Sequence, residues 1–270
     1  MIDFGEFVAT LPPEDRNVAI KHQNEIEQLS EYVDYGFVFD DERWKEIGYD
    51  FYTAKRVADL AAKHLSSVRG TPSILEIGAG SNENILRAIT FGLKGIPFEY
   101  IVYNENKILS REFIERANVF TGSFLIREQD ILKADSADKY DLVILQHAIN
   151  DIAENHFAKA REIDTVEQSW WSSRSERFKL LNELVQSKNG LEQLAAVFAG
   201  LVDRLLVMIK PGGILLVNHC CFQNEVRDGY NRELNNQYIR YFRDVAARVD
   251  LLVEVDSGLN HQWWFLSQRR

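Results

Sequence analysis

Residues 73–89, SILEIGAGSNENILRAI, place an acid and two glycines between a short apolar run and a helix-like pattern. Gly78 and Gly80 flank Ala79, and together they let a backbone turn sharply and approach a ligand with no Cβ in the way. Ser81 or Asn82 is placed to cap the helix that follows. A dinucleotide fingerprint reads Gly-x-Gly-x-x-Gly and seats a pyrophosphate on that helix's N-terminus. Glu83 stands here where the third glycine belongs, and a carboxylate at that point repels a pyrophosphate. Glu76, just before the loop, suits a cationic ligand instead.

Further along, KYDLVILQHAINDI carries His147 and Asp151 where an apolar run gives way to a helical one. His147 is a candidate general base, or a residue that shapes a pocket. Asp151 follows one turn later, able to orient His147, to bind an amine, or simply to begin a helix. His219 in VNHCC follows a second such run, where a buried structural histidine is the competing role. Trp170 and Trp171 either line an acceptor pocket by stacking and cation–π contact or pack their own segment. Arg161, Arg174 and Arg177 offer handles for an anionic acceptor.

These residues need elements to hold them. Apolar runs alternate with amphipathic stretches: SILEI then NENILRAITFGL, FEYIVY then NKILSREFIERA, GSFLI, YDLVIL, and a long amphipathic stretch before GGILLVN. That rhythm predicts an α/β fold with a doubly wound, mostly parallel sheet, and the near-continuous Ile, Val and Leu imply strands covered on both faces. After residue 227 come one more helical stretch and two apolar runs, LLVEV and QWWFLS, close enough for an antiparallel pair at a sheet edge. His261, Trp263 and Trp264 there read as core or sheet-face residues. Residues 1–70 read as an N-terminal helical extension, with Pro12, Pro13, Glu14 and Asp15 marking a helix start. Residues 71–270 form the main domain, and the long connection after YDLVIL holds a helical insertion at about 150–190.

The formal charge of -10 opposes nucleic acid, whose affinity is largely phosphate neutralisation. No run of about eighteen apolar residues exists, so no membrane span is expected. Acids stand where a secretory signal would carry basic residues, which makes a cytoplasmic location the expectation. Cys220 and Cys221 are adjacent and read as two reduced thiols, and no metal-ligand spacing is present.

A ligand with an amino group, a positive sulfonium and no phosphate meets the conditions set by Glu76 and Glu83. S-adenosylmethionine is such a ligand, and the chain resembles the class I S-adenosylmethionine-dependent methyltransferases. The first motif is matched by Glu76-Ile77-Gly78-Ala79-Gly80-Ser81, with Asn82 in place of the last glycine. The resemblance implies that Asn104, with Glu105 beside it, meets the ribose hydroxyls, and that Asp130 and Ile131 meet the adenine amino group and ring. Gln146 and His147 would lie beside the methyl group. Tyr49 and Tyr52, ahead of the first apolar run, either close over the cofactor or belong to the core, the commoner role of aromatics at such spacing. The resemblance further implies a Rossmann-like sheet and transfer of a methyl group to a small molecule at oxygen or nitrogen. A non-catalytic cofactor-binding protein on the same fold is one alternative, and an NAD-dependent dehydrogenase, disfavoured by Glu83, is another.

Overall fold

The central apolar runs become strands because each contributes side chains to two cores at once, whereas Leu125 and Val253 on the two edge strands are exposed. The computed structural model describes residues 2–32, 38–39, 42–118, 120, 123–135, 137–222, 226–255 and 264–270. Its main sheet has seven strands: β1 (Ser73–Ile77), β2 (Glu99–Tyr103), β3 (Phe124–Arg127), β4 (Tyr140–Gln146), β5 (Ile209–Asn218), β6 (Leu252–Glu254) and β7 (Trp264–Arg269). Their spatial order is β3-β2-β1-β4-β5-β7-β6. Strands β1 to β5 pair in parallel, whereas β7 runs antiparallel to both β5 and β6. The expected antiparallel pair at the sheet edge is therefore present. His261 and Trp263 lie outside the described residues, and Trp264 is buried in the core.

Successive residues of β1 show the division of labour. Ile74 enters one core with helices α1 (Phe4–Ala9), α4 (Arg43–Leu65) and α5 (Asn84–Leu93). Leu75 and Ile77 enter the other, with α7 (Ile149–Lys159), α8 (Trp170–Gln186), α9 (Gly190–Met208) and α10 (Arg232–Ala246). Glu76 shares the parity of Ile74, so its carboxylate points into the first layer and not into solvent. Helix α6 (Lys107–Ala117) also covers that face through Phe113 and Ala117. The result is a Rossmann-like, doubly wound α/β architecture, as the alternation implied.

The N-terminal residues join the first core instead of standing apart from it. Phe4 and Phe7 pack against Phe51 with ring centroids 5.2 Å apart. Helix α2 (Pro13–Lys21) begins at the anticipated proline, with Glu14 and Asp15 in its first turn, and α3 (Gln23–Tyr32) follows. Helix α4 begins at Arg43, and Ile47, Tyr49 and Phe51 start its buried face. Helices α4 and α5 cross closely: a Cβ on Gly92 would lie 2.5 Å from the Ala58 carbonyl oxygen.

Because β1 to β5 are parallel, all five carboxyl ends open on one edge. Loops leaving that edge are the natural place for a ligand in a doubly wound sheet. No helix among the described residues is long and apolar enough to cross a membrane.

Candidate functional site

A cleft of about 300 Å³ opens at that edge, lined by the 78–82 loop, Tyr49 and Asp50 of α4, Glu76, Gln146, His147, Asp151, Trp171 and Arg174. A smaller cavity of about 60 Å³ adjoins it, sharing Gly78, Gly80, Leu109 and Asp151 and adding Glu105, Asp130 and Ile131. The glycine loop thus serves both chambers. Gly78 has φ of +72°, and a Cβ there would lie 2.6 Å from the Cβ of Ala148, so neither conformation nor space admits a side chain. Gly80, at φ of +61°, faces open space. The N-cap position of the following helix is Glu83, with no side-chain cap, and Asn82 just before it accepts from the Asn84 N–H at 2.8 Å through Oδ1.

The two chambers differ in charge. Glu76 is buried, and its one hydrogen bond among those resolved comes from the neutral hydroxyl of Tyr100. Burial raises its pKa to about 8, against the lowering effect of Tyr100 and with Glu83 adding to the rise. Asp50 opens onto the cleft but is packed round by protein, and burial lifts it to about 6 although Arg87 and Arg43 pull the other way. Glu83, the residue expected to repel a pyrophosphate, is instead turned inward and ion-paired with the buried Arg87. The opposition to a phosphate therefore falls to Glu76 and Asp50.

On the other side two lysines face two acids, and Lys133 lies 3.8 Å from Asp130. Lys159 places its Nζ 2.5 Å from Glu105 and 2.6 Å from Asp130. Asp130 also accepts from the Leu132 N–H at 3.0 Å, which fixes the turn leading into Ile131. Asn104, expected at the ribose, is buried and faces the loop: its Nδ2 donates to the Gly80 carbonyl at 2.7 Å and its Oδ1 accepts from the Gly80 N–H at 3.3 Å. That side chain clamps the loop and also lines the smaller cavity, where Glu105 beside it adds a charge.

Other expected residues separate into those on the cleft and those behind it. Tyr49 lines the cleft and donates its hydroxyl to Asn218, at the end of β5. Tyr52, one turn on, is buried edge-on to Trp264 with Arg56 over its ring at 5.2 Å, and it does not line the cleft. His147 lines the cleft in a left-handed conformation (φ +50°), its N–H donating to the Asn218 carbonyl at 2.7 Å. His219 is fully buried and stacks on His147, with ring centroids 4.9 Å apart and planes 10° apart, so it supports that ring from behind and does not reach an acceptor. Ala79, Gln146 and Asp151 line the cleft as anticipated positions.

In the insertion, Trp171 is 62% exposed and walls the cleft, with Arg174 5.4 Å from its ring. Arg174 also lies 3.1 Å from Asp228. Arg177 is buried and donates to Asn155 at 3.0 Å, and Arg161 is exposed away from the cleft lining. The side chain of Trp170 lies outside the described residues.

Sequence reasoning missed Asp50, Arg43, Glu46, Lys159 and Asn106. Asp50 carried one signal, an acid between Tyr49 and Phe51 on an apolar face. Arg43 spans Asp15 and Glu46 at 2.6 and 2.5 Å, tying α2 to the cleft wall. Asn106 caps α6 while its Nδ2 donates to the carbonyls of Thr165 and Gln168 at 3.0 and 2.8 Å, anchoring the insertion beside the smaller chamber.

No family model matches the chain, and no curated protein matches it. Among solved structures it is similar to the N-methyltransferase NodS from Bradyrhizobium japonicum WM9 in complex with S-adenosyl-L-homocysteine, at 15% identity over 92% of this chain and 96% of that one, with a TM-score of 0.47. A ribosomal protein L11 methylase from Lactobacillus delbrueckii subsp. bulgaricus aligns at 12% identity over 81% and 80% of the two chains, TM-score 0.41. An S-adenosylmethionine-dependent methyltransferase from Clostridium acetobutylicum ATCC 824 aligns at 15% over 62% and 51%, TM-score 0.35. What this cleft binds is read from its own residues.

Proposed function

We propose that the chain is an S-adenosylmethionine-dependent methyltransferase that transfers a methyl group to oxygen or nitrogen of a small-molecule acceptor. The observation that carries this reading is the contrast across the glycine loop. A buried Glu76 and Asp50, both held towards the neutral form, border one chamber, and a pair of acids faced by Lys159 and Lys133 borders the other. A ligand cationic at one end and neutral at the other fits that arrangement, and a dinucleotide, with its negative centre beside Glu76, does not.

When bound, S-adenosylmethionine supplies a methyl group on a positive sulfur that carries its own leaving group. Glu76 and Asp50 hold the cationic end, and Gly78 and Gly80 let the backbone approach it. Ile131 offers an apolar surface to the adenine ring, with Asp130 and Glu105 accepting from the adenosine donors. His147 and Asp151, on the wall of the larger chamber, are the groups able to take a proton from an oxygen or nitrogen acceptor. Trp171 and Arg174 bound the acceptor space from the insertion and limit water. The acidic balance of the chain supports a small molecule over a nucleic acid as acceptor.

Thermal shift with S-adenosylhomocysteine, S-adenosylmethionine and NAD tests the ligand. Stabilisation by the first two and none by NAD is the expected result, and stabilisation by NAD alone removes the reading. Binding without transfer to any amine, hydroxyl or carboxylate acceptor would leave a cofactor-binding protein without turnover.

A further inference from the structure

One wall of the larger chamber stands at the start of a helix whose core contacts lie further on. Helix α8 enters the core through Phe178 and Leu181, about two turns or more beyond Trp171. Trp171 is in its first turn, exposed, and lines the cleft. Arg174 braces that turn from the side, 5.4 Å from the indole and 3.1 Å from Asp228. The chain entering the turn is gripped from the smaller chamber.

The grip is the buried amide of Asn106, which lines the smaller cavity. Its Oδ1 accepts from the N–H groups of Ile108 and Leu109, at 3.0 Å each, and so caps α6. Its Nδ2 donates to the carbonyls of Thr165 and Gln168 at 3.0 and 2.8 Å. An amide offers two donors and an oxygen with two lone pairs, so every one is used. The reverse orientation would set the amino group against two N–H groups, which fixes the assignment. Beside it the Lys107 N–H donates to the Val166 carbonyl at 3.0 Å, and the Lys107 ammonium pairs with Glu167. Asp164 braces the same segment, its Oδ1 accepting from the N–H groups of Val166 and Glu167 at 2.9 and 3.0 Å. Residues 164–168 are thus fastened to the start of α6, and α8 begins two residues later at Trp170.

We propose that Asn106 is a positioning residue for methyl transfer, tying the Trp171 wall of the acceptor space to the chamber that receives the cofactor's adenosine end. Donor and acceptor come from separate chambers, and a misplacement of about 1 Å can cost a hundredfold in rate. Asn106 joins the two because it follows β2 on the cofactor side and holds the segment that leads into α8. The inference rests on the methyltransferase reading for what the wall does. Its test reads the wall's position without ligand or turnover, so the two can fail separately.

The full chain labelled with 5-fluorotryptophan carries five fluorinated indoles, and the Trp171 signal is the one lost in Trp171→Phe. Asn106→Ser keeps a good helix cap and adds no charge, but it removes both amide donors. Its Trp171 signal is expected to shift or broaden relative to wild type. Hydrogen exchange at Val166 and Glu167 should quicken by roughly tenfold or more, while the α6 amides stay within about threefold of wild type. That split separates the tether from the cap, since a lost cap would speed α6 as well. Lys107→Pro cuts the same tether elsewhere: proline suits the first helical position, lacks the N–H given to Val166 and leaves the Asn106 cap in place. The same Trp171 change is expected there, and this variant decides alone if Asn106→Ser does not fold. An unchanged Trp171 signal in the folded variant, or exchange that quickens in α6 as much as at Val166 and Glu167, overturns the proposal.

Discussion

Two pairs of carboxylates flank one glycine loop and are managed in opposite ways. Glu105 and Asp130 share Lys159, with Lys133 a further 3.8 Å from Asp130, and sit partly exposed at the smaller cavity, so they present acceptors with little net charge. Among the described residues neither Glu76 nor Asp50 has an ion pair, and burial pushes both towards the neutral form although Arg87 and Arg43 act against it at Asp50. Leaving a buried acid uncompensated costs stability, so such a group is informative when it borders a cleft. The difference teaches where charge is expected from outside: a cation completes the Glu76 side, whereas the Lys159 side is already complete. A unit charge about 4 Å away is worth roughly 4 kcal/mol at an effective dielectric near 20, enough to decide orientation in the cleft.

The largest expected effect lies in the loop that both pairs share. Gly78→Val places a branched side chain where even a Cβ meets Ala148 at 2.6 Å, in a left-handed backbone. S-adenosylhomocysteine binding should vanish, and stability should fall by about 1–3 kcal/mol, the usual cost of overpacking. Normal binding in that variant would show that neither chamber depends on the loop.

Glu76→Gln sharpens the contrast directly. The folded chain holds the Glu76 proton up to about pH 8, whereas the unfolded chain releases it near 4.5. Between those values the folded state binds more protons, so this group's contribution to stability is lost as pH rises. The variant should therefore gain stability relative to wild type on going from pH 5 to about 8, as read by denaturant unfolding. At about pH 8 it should also bind S-adenosylhomocysteine roughly tenfold or more weakly, the loss of one charged hydrogen bond. Equal stability differences at both ends of that range would mean that Glu76 is solvated.

Lys159→Met acts on the other pair. The trio is partly exposed, with side-chain exposures of 26% for Lys159 and 15% for each acid, so screening limits the loss to about 1 kcal/mol. Cofactor affinity should weaken severalfold. A marked gain in affinity would instead identify Lys159 as a competitor for the acids. Smallest of all, Trp171→Ala should leave the S-adenosylhomocysteine dissociation constant within about threefold, short of the 1.4 kcal/mol that makes a factor of ten. It should raise the acceptor's Michaelis constant once an acceptor is known.

Local pattern revealed the strands, the β1 turn and the edge on which the loops gather, because period and glycine placement are properties of neighbouring residues. It also brought His147, Asp151, Glu105 and Asp130 to the right edge. What escaped were contacts across the fold. Asn104 turns to Gly80, 24 residues away, and Lys159 joins acids from two separate loops. Tyr49 and Tyr52 look alike in sequence, yet one turn of α4 carries one to the cleft and the other behind Trp264. His219 stood at the correct strand end, and only packing reveals that His147 lies in front of it. Asp50 was hidden for the same reason, since burial depends on elements that meet only in the folded chain.

The most direct test compares the pH dependence of binding for S-adenosylhomocysteine and for adenosine, which shares the neutral end but lacks the ammonium group. Calorimetric titration across pH 6 to 9 gives both. If the cationic end sits by Glu76, S-adenosylhomocysteine should tighten by up to about tenfold per pH unit below 8 and level off above it, as expected when binding displaces one proton. Adenosine should bind with nearly constant affinity throughout. Parallel pH profiles for the two ligands would contradict the account, because the charge contrast across the glycine loop would then have no part in recognising the ligand.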